Sequence, residues 1–183
     1  DGNSDLITSV PFNDVILLSF GNGDSTFQFQ PAPASFAVGT LPLSMAVSDL
    51  NGDSFPDFVT SNFNSHDLSV LLGNGDGTLQ SQQKFAVGTN PWAIGVADLN
   101  NDGIQDLLTA NSSSNDVSIM IGIGDGSFQA HQRYLAGTGP RSLAIADLNS
   151  DGHIDVVVAN GSSNDVSVLL GSGDGALKVG QRF

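Results

Sequence analysis

An all-β chain assembled from copies of one short-stranded unit is what this sequence predicts, and three observations predict it. Asp49, Asp98 and Asp147 recur at an interval of 49 residues, and Asp76, Asp125 and Asp174, in "GNGDG", "GIGDG" and "GSGDG", keep the same interval. "FAVGT" at 36–40 returns as "FAVGT" at 85–89 and as "YLAGT" at 134–138. Between these markers the apolar residues fall in short, β-branched or alternating runs, with no capped segment of helical period. Four short strands in a unit of this length, repeated, are the signature of a propeller blade.

Taken in order, each unit supplies its strands as follows. "SMAVSD", "AIGVAD" and "SLAIAD" alternate large apolar with small residues. Ala46, Gly95 and Ala144 suit an innermost strand crowded against a central axis. "DFVTSN", "DLLTAN" and "DVVVAN" read as second strands, and "DLSVLLG", "DVSIMIG" and "DVSVLLG" as third strands that run into glycine-rich turns. The "FAVG" segments provide a fourth. A single unit cannot bury its own faces, so neighbours must stack: the expected architecture is a β-propeller region over 1–183, in repeats of about 1–35, 36–84, 85–133 and 134–183. The first copy, opening "DGNSDLITS" and longer by three residues around "QPAPAS", has no innermost strand. Its bare inner edge must be covered by residues of a longer polypeptide, by head-to-tail pairing with another copy, or by ring closure.

Composition removes several classes of function. With 5 basic and 19 acidic residues the net charge is −14, which argues against nucleic acid and against anionic membrane surfaces. No run approaches the roughly 18 apolar residues of a membrane span, so membrane insertion is not expected. There is no cysteine, hence no disulfide framework and no zinc–thiolate site. No signal peptide is present, and a mature or excised segment would show none.

Much of the negative charge sits in one repeated nonapeptide, "DLNGDSFPD", "DLNNDGIQD" and "DLNSDGHID". Oxygen side chains stand at its positions 1, 3, 5 and 9, with glycine usual at position 6. Alternate positions of a tight loop converge, position 7 can add a carbonyl, and glycine permits the reversal. Hard oxygen donors in a flexible loop select Ca²⁺ over zinc or copper. The candidate ligands are Asp49, Asn51, Asp53 and Asp57; Asp98, Asn100, Asp102 and Asp106; and Asp147, Asn149, Asp151 and Asp155. Phe55, Ile104 and His153 would give main-chain oxygen. Asp1 and Asp5 are the remnant of a fourth loop, and Ser54 and Pro56 make the loop at 49–57 the least regular. The competing reading is an Asx-rich turn that needs no metal.

The combination "ADLNNDGIQDLLTAN…NDVSIMIGIGDGSF" resembles the FG-GAP (VCBS-type) repeat of integrin α-subunit propellers and many secreted microbial proteins, and the likeness runs along nearly the whole chain. The resemblance implies Ca²⁺ in the loops that join first and second strands. It also implies an extracellular, cell-surface role in adhesion or in binding carbohydrate or protein, usually without catalysis. Ser54, the incomplete first loop and a copy number below the seven typical of integrins depart from the family pattern.

The remaining motifs are weighed one by one. "GNGDG" lacks the lysine of a phosphate loop and opens no helix, so it reads as a hairpin turn. Asp14, Asp67, Asp116 and Asp165, which open the third strands, read as structural. On the face opposite the aspartate loops the repeats differ: Leu43, Trp92 and Arg141 share one position, and Phe63 and His66 stand in a loop that elsewhere reads "SSSN" or "GSSN". Trp92 and Arg141, with Phe63 and His66, are candidates for stacking on a sugar or anchoring a protein; the alternative is that Trp92 packs between blades. Asn111 ("NSS") and Asn160 ("NGS") match the N-glycosylation pattern. His66, His131 and His153 fall at unrelated repeat positions, which argues against an enzyme. An architectural subunit of an extracellular fibre or surface assembly is the alternative to a binding module.

Overall fold

A computed structural model describes residues 3–28 and 34–183. It holds four antiparallel sheets and, among the described residues, no helix. The first sheet contains β1 (Leu6–Val10), β2 (Val15–Gly21), β3 (Phe27–Gln28) and β4 (Ala34–Ala37), with β3 and β4 pairing successive stretches of β2. The second runs β5 (Pro42–Ser48), β6 (Asp57–Asn62), β7 (Asp67–Leu71), β8 (Gln83–Ala86). The third runs β9 (Pro91–Ala97), β10 (Asp106–Asn111), β11 (Asp116–Met120), β12 (Gln132–Leu135), and the fourth β13 (Pro140–Ala146), β14 (Asp155–Asn160), β15 (Asp165–Gly171), β16 (Leu177–Arg182). Strand order follows chain order, as a meander of short hairpins requires. The first sheet has no innermost strand among the described residues. Repeat boundaries drawn at Phe36, Phe85 and Tyr134 fall inside β4, β8 and β12, so each sheet closes shortly after the next sequence repeat has begun.

Consecutive sheets stack through one apolar cluster per junction. Ile16, Val38, Phe58 and Leu71 centre the first junction; Leu50, Val70, Leu107 and Phe128 are in the second; Leu99, Ile119, Val156 and Leu169 are in the third. Innermost strands lie side by side, β5 against β9 and β9 against β13, and β1, the second strand of its unit, lies against β5. Close approach explains the last glycine of the "GDG" turns. A Cβ on Gly77, Gly126 or Gly175 would stand 2.5, 2.7 or 2.5 Å from Phe20, Leu72 or Ile121 of the preceding sheet. Ser25 holds that position in the first sheet.

Polar staples complete the junctions. Asp14, His66 and Asn115 all take a positive φ, at 56°, 58° and 58°. Each accepts a backbone N–H from the turn that enters the next sheet: Leu41 N to Asp14 Oδ1 at 2.9 Å, Asn90 N to His66 Nδ1 at 3.1 Å and Gly139 N to Asn115 Oδ1 at 2.9 Å. Asp14 is thus the counterpart of His66 and does not open a third strand as Asp67, Asp116 and Asp165 do. Within the sheets a buried amide ties second strand to third. Asn111 Nδ2 donates to Asp116 Oδ1 at 2.7 Å and Ser118 Oγ at 2.9 Å, and Asn62 and Asn160 repeat the pattern with Asp67 and Ser69 and with Asp165 and Ser167. The first sheet replaces this whole set by Val10, Val15 and Leu17.

Candidate functional site

The two ends of the strands carry different chemistry. At one end lie the nonapeptide loops and the glycine turns, packed against each other: a Cβ on Gly75, Gly124 or Gly173 would meet Phe55, Ile104 or His153. The position-7 side chains are therefore wedged into the glycine turns, and the His153 ring is not offered to the loop centre. The glycine turns themselves close on their own groups: Asn74 N donates to the Thr78 carbonyl, and Asp76 Oδ1 accepts the Thr78 N–H at 2.9 Å and its hydroxyl at 2.6 Å.

Each nonapeptide is folded by side chain–backbone hydrogen bonds. Asp98 accepts N–H groups of Asp102 and Gly103 at 3.1 and 2.8 Å; Asn100 Nδ2 donates to Asp102 Oδ2 at 2.8 Å; Asp102 Oδ1 accepts Ile104 N–H at 2.8 Å. Asp49, Asn51 and Asp53, and Asp147, Asn149 and Asp151, form related networks. Position 6 takes a positive φ even where serine replaces glycine (Ser54, 67°). So does position 4, at Gly52, Asn101 and Ser150, a second reversal that the residue types foreshadow and the sequence reading missed.

Position 9 has a different task. Asp57, Asp106 and Asp155 are buried, and each carboxylate spans two N–H groups, one from position 2 of its own loop (Leu50, Leu99, Leu148) and one from the end of the third strand (Gly73, Gly122, Gly171), at 2.8–3.0 Å. Burial pushes the Asp57 and Asp106 carboxyls up, the charges at positions 5 and 1 push the same way, and the two N–H bonds oppose them. Burial also acts to raise Asp49, but the N–H groups of Ser54 and Gly52 outweigh it and hold its carboxyl low.

Among the described residues, no group of three or more His, Asp or Glu side chains is drawn together closely enough to hold a metal ion. The donor chemistry of positions 1, 3, 5 and 7 still fits a hard divalent cation, being oxygen throughout and repeated in three loops. Each Asp57-type oxygen accepts one N–H and retains a lone pair. Asp5 keeps the structural half of its loop, accepting Gly21 N–H at 3.0 Å, while Asp1 lies outside the described residues.

The opposite end gathers the four variable residues. Register shifts in β5, β9 and β13 leave Leu43, Trp92 and Arg141 as the extra residue of a β-bulge. A bulge re-aims a side chain out of the sheet. Trp92 meets Phe63 of the preceding sheet edge to face, centroids 5.5 Å apart, and the Arg141 guanidinium of the following sheet stands 4.9 Å over its ring. His66 lies behind them, its Nδ1 3.0 Å from the Phe63 carbonyl, and that carbonyl accepts Asn90 Nδ2 at 2.9 Å. Trp92 is half-buried between its two neighbours, so it packs across the sheets and presents surface as well.

The sequon reading is overturned. Asn111 and Asn160 are buried, and the Nδ2 that would carry sugar is the donor of the buried amide networks, so a glycan is incompatible with this fold.

Four stacked meander sheets with aspartate loops at one end define a β-propeller type of repeat protein. The model of the FG-GAP-like repeat matches residues 49–109 and 98–158, more than half of the chain, and the chain belongs to that family. Comparison with curated protein sequences gave no match. Among solved structures, a putative 6-phosphogluconolactonase from Bacteroides fragilis is 18% identical with a TM-score of 0.71, covering 93% of this chain and 49% of its own. A lectin from Agrocybe aegerita that recognises non-reducing terminal N-acetylglucosamine is 22% identical with a TM-score of 0.57, covering 93% and 46%. The biofilm matrix protein Bap1 of V. cholerae is 16% identical with a TM-score of 0.50, covering 99% and 35%. At such identities the likeness is one of fold, and the chain spans about half the length of the first solved structures it matches.

Proposed function

We propose that this chain is a calcium-stabilised, non-catalytic binding module that works outside the cell and takes a glycan or protein ligand across the face formed by Phe63, Trp92 and Arg141. The observation that carries this reading is the aromatic–cation ladder itself. Three bulged or loop residues from three successive sheets meet at one place, at repeat positions where the other copies carry Leu43, Ser112 and Gly161. An indole flanked by a ring edge and a guanidinium suits a sugar face or an aromatic anchor of a protein.

Calcium would be held by Asp49, Asn51, Asp53 and the Phe55 carbonyl, with Asp57 behind them, and by the corresponding residues of the other two loops. It would supply positive charge between carboxylates that otherwise repel. Affinity in the range of roughly 10⁻⁴–10⁻³ M, usual for extracellular modules, suits an extracellular setting. A non-catalytic role is favoured because two of the three histidines are committed elsewhere, His66 to the Asn90 turn and His131 Nδ1 to Ser118 Oγ at 2.9 Å, while His153 is packed against the glycine turn at Gly173.

The test is a glycan-array screen with calcium and with chelator, repeated with Trp92→Ala. Binding that needs both calcium and Trp92 supports the proposal. An array blank in both conditions removes the glycan, and a ligand that ignores Trp92 removes this face. One observation favours the architectural alternative: the outer face of the fourth sheet leaves Leu148 50% exposed. Concentration-dependent polymers in sedimentation would carry that reading.

A further inference from the structure

Charge is divided unequally between the two ends of the sheets. Among the described residues, only Asp14, Asp67, Asp116 and Asp165 bring a carboxylate to the end that holds Phe63, Trp92 and Arg141. All other carboxylates described lie in the nonapeptide loops and glycine turns at the far end. Each of the four already accepts a hydrogen bond, from Leu41 N–H or from the buried amide of its own sheet. Arg133 and Arg182 neutralise Asp116 and Asp165, whereas Arg141 meets no carboxylate among the described residues. A strand of 6 residues separates the ends by ~20 Å, well beyond the Debye length of ~8 Å at physiological salt. An anion kept from the loop end by a net charge of −14 can therefore approach Arg141.

Resting on the binding face proposed above, we infer that its ligand is an acidic glycan, held through a uronate carboxylate on the N–H fork of Arg141. The guanidinium is exposed, yet it is set in place before any ligand arrives. Its stem crosses Gly161, where a Cβ would stand 2.8 Å from Arg141 Cδ and 3.0 Å from Nε, and its Cζ lies 4.9 Å from the centre of the indole. The counterparts of Gly161 are Phe63 and Ser112, so the glycine that leaves room for the stem stands beside the arginine that needs it. Fixing a long side chain in advance lowers the cost of binding, and the planar fork matches a carboxylate with two parallel hydrogen bonds. Because the guanidinium covers one side of Trp92, a group arriving there meets the cation before the ring. The neighbouring hairpin tips carry Ser113 and Ser162, both exposed and with no side-chain hydrogen bond among the described residues. Hydroxyls flanking an unpaired guanidinium match a ring that bears both hydroxyls and a carboxylate. An acidic sugar therefore fits this place better than an acidic peptide.

The experiment is an array of uronate oligosaccharides, each printed beside its carboxyl-reduced neutral counterpart, and probed with the whole chain at fixed calcium. Binding to acidic members should fall about tenfold or more when the carboxyl is reduced, and should weaken with added salt. Arg141→Gln should abolish the preference for the acidic member of a pair. Arg141→Lys should keep part of it, because lysine offers the charge without the planar fork. Neither variant should change the far-ultraviolet spectrum, since the side chain is exposed. Equal binding to acidic and reduced members, still dependent on Trp92, would overturn the inference and leave the binding face standing. Acidic binding that survives Arg141→Gln but is lost with Asp98→Asn would place the carboxylate on loop calcium and overturn it too. A blank array would overturn it together with the glycan reading, and Arg141-dependent binding to a printed glutamate oligopeptide alone would do so in favour of a protein ligand.

Discussion

Leu50 and Leu148 hold the same position of the repeat and the same backbone hydrogen bond, yet one is 3% and the other 50% exposed. The difference is a neighbour: Leu50 is covered by the third sheet, and no sheet among the described residues covers Leu148. Leu50→Ala should therefore cost about 2–5 kcal/mol, the range for emptying a packed leucine site, whereas Leu148→Ala should stay within about 0.5 kcal/mol. Urea titration of the two variants checks this, and equal losses would mean that another molecule covers Leu148 in solution.

The amide networks predict non-additivity. Asn111→Val leaves Asp116 and Ser118 without their shared donor in a buried place, a loss of about 1–3 kcal/mol. The first sheet shows how to do without the network, with valine, valine and leucine together. The triple variant Asn111→Val, Asp116→Val, Ser118→Leu should be more stable than the sum of the single changes by about 1 kcal/mol or more. Recovery is incomplete, because Gly88 N–H loses Ser118 Oγ and Arg133 loses Asp116. Additive losses in a denaturation cycle would contradict this account.

Most of the architecture was legible because the repeat shows each position several times. Strand number, strand order, the missing inner strand and the hairpin nature of "GNGDG" all follow from the 49-residue period and turn chemistry. Several features were not legible. The bulge that aims Trp92 and Arg141 depends on register between two strands, and a proline followed by a variable residue does not announce it. The sequons at Asn111 and Asn160 look like surface loops in sequence, but the end of a second strand is buried by its hairpin partner and by Gly88 or Gly137 of the preceding segment. The aspartate loops are tight reversals, with a positive φ at Ser54, Gly103 and Gly152. The position-9 aspartate proved to be the clasp between loop and third strand, a tertiary role that spacing alone does not reveal.

Calcium should stabilise the fold. For a site with an affinity of roughly 10⁻⁴–10⁻³ M, ten millimolar calcium adds about 1.4–2.7 kcal/mol by mass action. The melting temperature should rise with calcium and fall back with chelator. Asp98→Asn with Asp102→Asn should remove part of the rise, because one of three loops is lost. A melting temperature indifferent to both additions would leave the loops as metal-free turns.

Acid should loosen the glycine turns. The Thr78 hydroxyl first, and its N–H next, hold the Asp76 carboxyl below its ordinary value of 3.8, and Asp24 and Asp125 are lowered likewise by Thr26 and Ser127. A carboxylate lowered by folding contributes stability that is present above its unfolded pKa and lost as pH falls through the folded one. Thr78→Val should therefore flatten the stability–pH curve between about pH 5 and pH 2, with little change in its shape near neutrality. An unchanged acid limb would show that the turn carboxylates stay solvated.

The chain has one tryptophan, so its fluorescence reports the proposed binding face without labelling. The Arg141 guanidinium covers one side of the Trp92 ring at 4.9 Å, and the Phe63 ring meets it from the other sheet at 5.5 Å. Arg141→Ala should raise the acrylamide quenching constant of Trp92, and Phe63→Ala should raise it as well, since each removes a neighbour in contact with the indole. Stability should move little with Arg141→Ala, because an exposed cation–π contact is worth about 0.5–1 kcal/mol. A ligand seated on this face should protect Trp92 from quencher in the parent chain, and less so without Arg141. Quenching that neither substitution changes would mean that the indole does not stand between the two side chains in solution, and the ladder would cease to support a ligand there.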